Sequence, residues 1–178
     1  MSTAGPSGSL HNQSKIYAAS PAGQICVEIN RLSLRVPPVA LSALFAAAMW
    51  FLPDVLMIKT PGAWVVAIVL ATLGGAFCIA GVLAFRQAKT TVNPVNPETS
   101  TALVVHGVFR LTRNPMYLGF TFLLLAFAVW LGKIPAMLLV PLFMAYLQRF
   151  QIRPEEDALN ERFGASFDAY RHQVRRWL

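Results

Sequence analysis

The chain has 178 residues, 56% of them hydrophobic and only 13% charged, and its mean hydropathy is +0.52. Soluble domains carry charge on about a quarter of their residues, so this composition excludes an ordinary soluble globule and points to a protein of the bilayer. The net charge of +7 does not indicate nucleic acid, because the cations lie between apolar runs and form no groove-lining stripe; membrane lipids with anionic headgroups are the expected partners.

Residues 1–35 begin STAGPSGS and stay polar, which predicts a flexible N-terminal arm. No charged segment leads into an apolar core there, so no cleaved signal peptide is expected. Residues 36–178 read as a single membrane domain. A first span is predicted over about 36–56, with Pro37 and Pro38 suiting a helix start and Pro53-Asp54 arguing for its end or a kink. A second span, 62–85, carries no charge; at about 1.5 Å per residue it reaches about 36 Å, enough to cross a hydrocarbon core. Its Ala67, Ala71, Gly74, Gly75 and Cys78 form a small-residue face that lets another helix approach. Cys78 therefore reads as a packing residue. With Cys26 in a polar stretch, the two cysteines support neither a disulfide framework nor a metal site, and no metal is expected.

The segment 86–115 leaves the membrane, and Pro94 and Pro97 prevent a continuous helix. Two further apolar runs, 116–131 and 134–150, are separated only by Gly132-Lys133 and predict a tight helical hairpin. Each reaches roughly 24 to 26 Å, near the short limit, so helix extension past Phe150 or local bilayer thinning is required. Thirteen of the fifteen Lys and Arg residues fall in 1–35, 86–115 and 149–178, whereas Lys59 and Lys133 fall in the two short loops. The positive-inside rule then makes both termini and the 86–115 loop cytoplasmic.

Beyond the last span, Pro154, then Glu155, Glu156 and Asp157, and Gly164 delimit a short helix whose acidic first turn complements its dipole. A second helix is predicted from Ser166. Leu159, Phe163, Phe167, Tyr170, Val174 and Trp177 place one apolar face along the C-terminal helices of 154–178, to lie on the membrane or against the hairpin. The fold class is thus an all-α integral membrane protein with four transmembrane helices, the last two a tight hairpin, plus C-terminal cytoplasmic amphipathic helices.

The stretch Thr101 to Tyr117, TALVVHGVFRLTRNPMY, is the long polar-apolar mixture between hydrophobic runs. His106-Gly107 reads as a turn, Phe109 and Tyr117 offer aromatic faces, and Arg110 and Arg113 supply cations at the membrane edge. Taken singly, Arg113 is a snorkelling anchor, Tyr117 an aromatic-belt residue and Glu155-Glu156 a helix start. Their order is more specific. Leu-Val-x-x-Gly-x-Phe-x-x-x-Arg-Asn-Pro-Met-Tyr-x-Gly, followed by Glu155-Glu156, Phe163-Gly164, Tyr170 and Arg176-Trp177, resembles the isoprenylcysteine carboxyl methyltransferase and phospholipid methyltransferase family of integral membrane enzymes. The resemblance covers roughly residues 90–178.

That resemblance implies S-adenosylmethionine-dependent methyl transfer to a lipophilic small molecule or lipid at the cytoplasmic membrane surface. It implies cofactor contacts by Thr101, Ala102, Leu103, Val104, Phe109, Asn114, Pro115, Met116, Tyr117 and Glu156, with Glu155 and Arg113 catalytic and Gln151 and Glu155 on the substrate side. Asn114 stands where the family usually has His, and cannot become a cation near neutral pH. Gln151 stands where members that methylate prenylcysteine carry Arg. The acceptor remains open between a prenylcysteine-like carboxylate and a phospholipid or other amine. A carboxylate needs no general base, whereas an amine must first lose a proton, for which His106 is the nearest histidine. An NADPH-dependent membrane reductase with a related C-terminal half, or a non-catalytic membrane protein, are the other readings.

Overall fold

Proline, glycine and the absence of charge set the helix boundaries. The computed structural model describes residues 37–54, 56–58, 60–88 and 103–178. The predicted arm 1–35, Lys59, and residues 89–102 of the loop, with the cofactor candidates Thr101 and Ala102, lie outside the described residues. Helix α1, Pro38–Phe51, starts on a proline and stops where Leu52 turns extended ahead of Pro53. The first helix therefore ends short of the expected residue 56. Helix α2, Ala63–Gln87, follows Gly62, whose φ of +83° is a left-handed turn suited to glycine. A 3-10 turn, Gly107–Arg110, precedes α3, Pro115–Leu131. Gly132 ends α3 with φ +66° and donates its N–H to the carbonyls of Ala128 and Val129. Helix α4, Ile134–Leu147, then returns as the second arm of the predicted hairpin.

Helix α4 does not stop at the end of the apolar run. A π-turn, Gln148–Ile152, carries the backbone without interruption into α5, Arg153–Phe163, so the helix extends past Phe150, one of the two alternatives expected for so short an apolar run. After Gly164 comes α6, Ala165–Gln173. The C-terminal helices were expected to reach 178, but Val174 is extended (φ −122°, ψ 133°) and residues 174–178 form a non-helical tail. Every regular element among the described residues is helical, apart from one isolated antiparallel bridge between Met57 and Lys133.

Of these helices, α2 alone is both long and apolar enough to cross a membrane; α1, α3 and α4 have 14, 17 and 14 residues. Helix α2 is not the buried core of a soluble protein. Its Trp64, Ile68, Ile79 and Leu83 are exposed, a contiguous apolar surface of the kind that belongs in lipid.

The closest packing is between α2 and α3. A Cβ on Gly119 would fall 2.5 Å from Cys78 Sγ and 2.7 Å from the Gly74 carbonyl, and one on Gly81 would fall 2.8 Å from Met116 Cγ. Cys78 Sγ in turn donates to the Met116 carbonyl at 3.7 Å. The small-residue face is real but rotated from expectation: Gly74 and Cys78 belong to it with Gly81, whereas a Cβ on Gly75 would meet nothing within 4 Å. Leu41, Met49, Leu124, Val140, Phe143 and Leu147 form the main core between α1, α3 and α4, where Phe45 and Phe143 meet edge to face at 5.2 Å.

At the opposite end from α5, Lys133 closes the bundle. Its Nζ donates to the carbonyls of Trp50 (3.1 Å) and Leu52 (2.7 Å) at the end of α1 and pairs with Asp54 at 2.8 Å. A cation at a helix C-terminus satisfies orphan carbonyls and complements the dipole. Backbone bonds from Ile58 N to Gly132 O and from Ile134 N to Leu56 O complete this junction.

Candidate active site

The segment 103–114 and the α5–α6 layer face each other across the C-terminal end of α2 and the N-terminal end of α3. Phe109, on the 3-10 turn, is buried and meets Phe85 of α2 edge to face at 5.2 Å. From the other side, the Tyr170 hydroxyl of α6 donates to the Phe109 carbonyl at 2.7 Å. Burial pushes the Tyr170 phenol up to about 12, against the opposing influence of Arg113, so it remains a donor. Leu159, Phe167 and Tyr170 close over a small cavity here instead of lying on the membrane or the hairpin.

That cavity gathers much of the predicted site. Leu103, Val104, Phe109 and Asn114 of the cofactor set line it with Glu156, and so do both catalytic candidates, Glu155 and Arg113. Pro115, Met116 and Tyr117 do not line it. Pro115 is buried at the start of α3, Met116 packs against Gly81, and Tyr117 reaches the site through its hydroxyl, which donates to Glu155 Oε2 at 3.1 Å. Gln151, expected on the substrate side, is buried in the π-turn and is not part of the lining. Arg149 and Arg153 lie beside Trp177 and Pro141 in a separate groove. Sequence reasoning missed Phe85, the last aromatic of the charge-free run, and expected Leu159, Phe167 and Tyr170 to lie on the membrane or against the hairpin. Their three- and four-residue spacing marked an apolar stripe but not what it would cover.

The two adjacent glutamates have opposite surroundings. Glu156 is bracketed by guanidiniums: Arg113 Nη1 stands 3.2 Å from its Oε1, and Arg176 donates through Nε to Oε1 at 3.1 Å and through Nη2 to Oε2. The hydrogen bonds to Glu156 raise Arg176 above its ordinary value, whereas burial lowers that of Arg113 despite the same carboxylate. Arg113 Nε and Nη1 are buried with no hydrogen-bond acceptor among the described residues, Nη1 meeting Glu156 as an ion pair only. Glu155 pairs with no cation among the described residues. Burial pushes its carboxyl up to about 7, opposed by the Tyr117 hydrogen bond and reinforced by Glu156.

The C-terminal tail is strapped onto the same motif. Arg113 N donates to Arg175 O at 3.0 Å, while Thr112 Oγ1 and Asn114 Nδ2 each donate to Arg176 O at 3.1 Å. Thr112 Oγ1 also accepts from Asn114 N, and Trp177 Nε1 donates to Gln148 Oε1. Donating to the Arg176 carbonyl is thus the role the Asn114 side-chain amide plays here, one for which no protonation is needed.

The sequence pattern of the phospholipid methyltransferases matches residues 63–166, more than half of the chain and the whole of this site up to α6. The chain belongs to the phospholipid methyltransferase family. It is accordingly a methyltransferase associated with membranes, and the exposed apolar length of α2 agrees with that. An uncharacterized protein of Haemophilus influenzae is 43% identical over 63 residues, which are 35% of this chain and all of that protein. No solved structure matches the chain.

Proposed function

We propose that this protein transfers a methyl group from S-adenosylmethionine to the amine of a lipophilic acceptor at the cytoplasmic face of a membrane. The observation that supports it is the convergence of Arg113, Glu155 and Glu156 with an apolar slot of Phe85, Leu103, Phe109 and Phe167 in one cavity. S-adenosylmethionine supplies an electrophilic methyl on a cationic sulfur. The donor set suits it: the unsatisfied Arg113 N–H groups match a carboxylate, the glutamates favour cationic groups, and the aromatic slot suits an adenine. The cavity holds about 60 Å³, below the roughly 300 Å³ at which ligand pockets begin, so its walls separate on binding. These residues bind and align the reactants and exclude water; an in-line displacement asks little else of the protein.

An amine is preferred to a carboxylate for electrostatic reasons. Gln151 replaces the arginine of prenylcysteine methylators, and Arg149 and Arg153 face a different groove, so they cannot clamp an acceptor carboxylate at the cavity. In this reading the shorter helices α1, α3 and α4 also cross the bilayer, giving four spans with both termini cytoplasmic. Titration of the detergent-purified protein with S-adenosylmethionine and with NADPH tests the cofactor. Saturable binding of the first alone is expected; preference for NADPH would favour a reductase, and binding of neither a non-catalytic protein.

A further inference from the structure

Beside the cavity lies an apolar cleft of about 270 Å³ between α1, α2 and α3, lined by Val39, Cys78, Val82, Met116, Tyr117 and Phe120. Tyr117 is a wall of this cleft, and its hydroxyl holds Glu155, a wall of the cavity. The two spaces therefore meet at the Tyr117–Glu155 hydrogen bond. Of the neighbouring glutamates, Glu156 is occupied by Arg113 and Arg176, and Glu155 is not paired with a cation among the described residues. Pairs of titratable groups held in contrasting environments mark the division between electrostatic and proton-transfer roles.

We infer that Glu155 is the proton acceptor of the transfer step, taking a proton from the ammonium of a lipophilic acceptor, and that Tyr117 positions its carboxylate. This rests on the methyltransferase reading above. The acceptor's N–H bond breaks with its proton passing to Glu155. The freed lone pair forms the N–C bond while the C–S bond breaks toward sulfur, so the positive charge passes from sulfur to nitrogen. Glu155 then releases its proton to water. The groups facing Glu155 are Tyr117 from α3 and Glu156 from its own helix; Arg113 from the preceding segment, Tyr170 from α6 and Arg176 from the tail stand around the same cavity. Arg113 and Arg176 are directed to Glu156, and the Tyr170 hydroxyl to Phe109 O. A carboxyl at about 7 is suited to accept a proton at neutral pH, which supports the assignment.

The first test uses the detergent-purified protein without cofactor. Infrared difference titration should show a protonated-carboxyl band that disappears near neutral pH, is missing in Glu155→Gln, and moves to higher pH in Tyr117→Phe, where the carboxylate loses its donor. The second follows kcat against pH with methyl-labelled S-adenosylmethionine, using phosphatidylethanolamine micelles in one arm and a long-chain alkylamine in the other. The acid limb of the profile should move upward in Tyr117→Phe. Glu155→Gln should lower the rate at pH 7 about a hundredfold or more and recover at alkaline pH, where the amine arrives already deprotonated. Cofactor binding by both variants, measured in parallel, separates these effects from misfolding. An unmoved limb in Tyr117→Phe, no neutral-pH carboxyl band, a pH-independent loss in Glu155→Gln, or a methyl-ester product would overturn the assignment. No transfer by the wild type to any lipid of its host would instead remove the methyltransferase reading on which it rests.

Discussion

Glu155, Glu156 and Asp157 are consecutive in the chain and have three different surroundings. A helix-dipole role alone would make them nearly interchangeable, at about 0.3 to 1 kcal/mol each. Glu156 instead neutralises the buried guanidinium of Arg113 and the half-buried one of Arg176, and its replacement by Gln leaves them without a counter-charge. Glu156→Gln should therefore cost about 3 kcal/mol and visibly lower the melting temperature in detergent, while Asp157→Asn, on an exposed position, should not change it. Glu155 imposes a different signature. Its folded carboxyl titrates at about 7 against an ordinary 4.5, so the native state keeps a proton that the unfolded chain releases over that window. Stability should fall as pH rises from about 4.5 to 7, by on the order of 3 kcal/mol, and level off above; melting curves of Glu155→Gln should lack that decline. The sequence made the glutamate pair legible through its place after Arg113-Asn114-Pro115-Met116-Tyr117. It did not show which of the two would be clamped, because Arg176 arrives from the far end of the chain by way of a tail whose course depends on tertiary hydrogen bonds.

At the scale of elements, helix starts were readable because Pro38, Pro115 and Pro154 fix the first turns, and the hairpin because Gly132 permits a left-handed stop. Helix faces were less readable, since runs that are apolar all round carry no periodic signal to say which side meets a neighbour. Gly75 was grouped with Gly74 for that reason, and the contribution of Gly81 and Gly119 went unseen. Gly119→Ala should place a methyl against Cys78 Sγ and the Gly74 carbonyl and destabilise the α2–α3 pair by about 1 to 3 kcal/mol, whereas Gly75→Ala should be tolerated. Thermal unfolding of the two variants in the same detergent compares them directly. Equal losses would mean that the helices cross at another register. The stripe of Leu159, Phe167 and Tyr170 carries the same lesson: amphipathicity revealed a covered face, and only the fold revealed that it covers the site.

For the molecule as a whole, composition located the protein in a membrane, and the order of motifs identified its family; the same order implied that Arg113 and Glu155 share a site, and the fold brings both to one cavity across their distance along the chain. The lysine and arginine asymmetry predicts that the loop between α1 and α2 faces away from the cytoplasm. Lys133 is a poor reporter of it, being buried and tied to α1, so single cysteines at exposed Thr60 and Arg153 in a cysteine-free background are the better pair. Thr60→Cys should react with an impermeant maleimide in intact cells and Arg153→Cys only after permeabilisation, and the reverse pattern would invert the topology. The central claim is methyl transfer itself. Purified protein incubated with methyl-labelled S-adenosylmethionine and a total lipid extract of its own host should place the label on the amine nitrogen of an organic-soluble product, with transfer sharply reduced in Glu155→Gln. Labelled cofactor recovered intact, with no lipid-borne label from the folded wild-type protein, would contradict it.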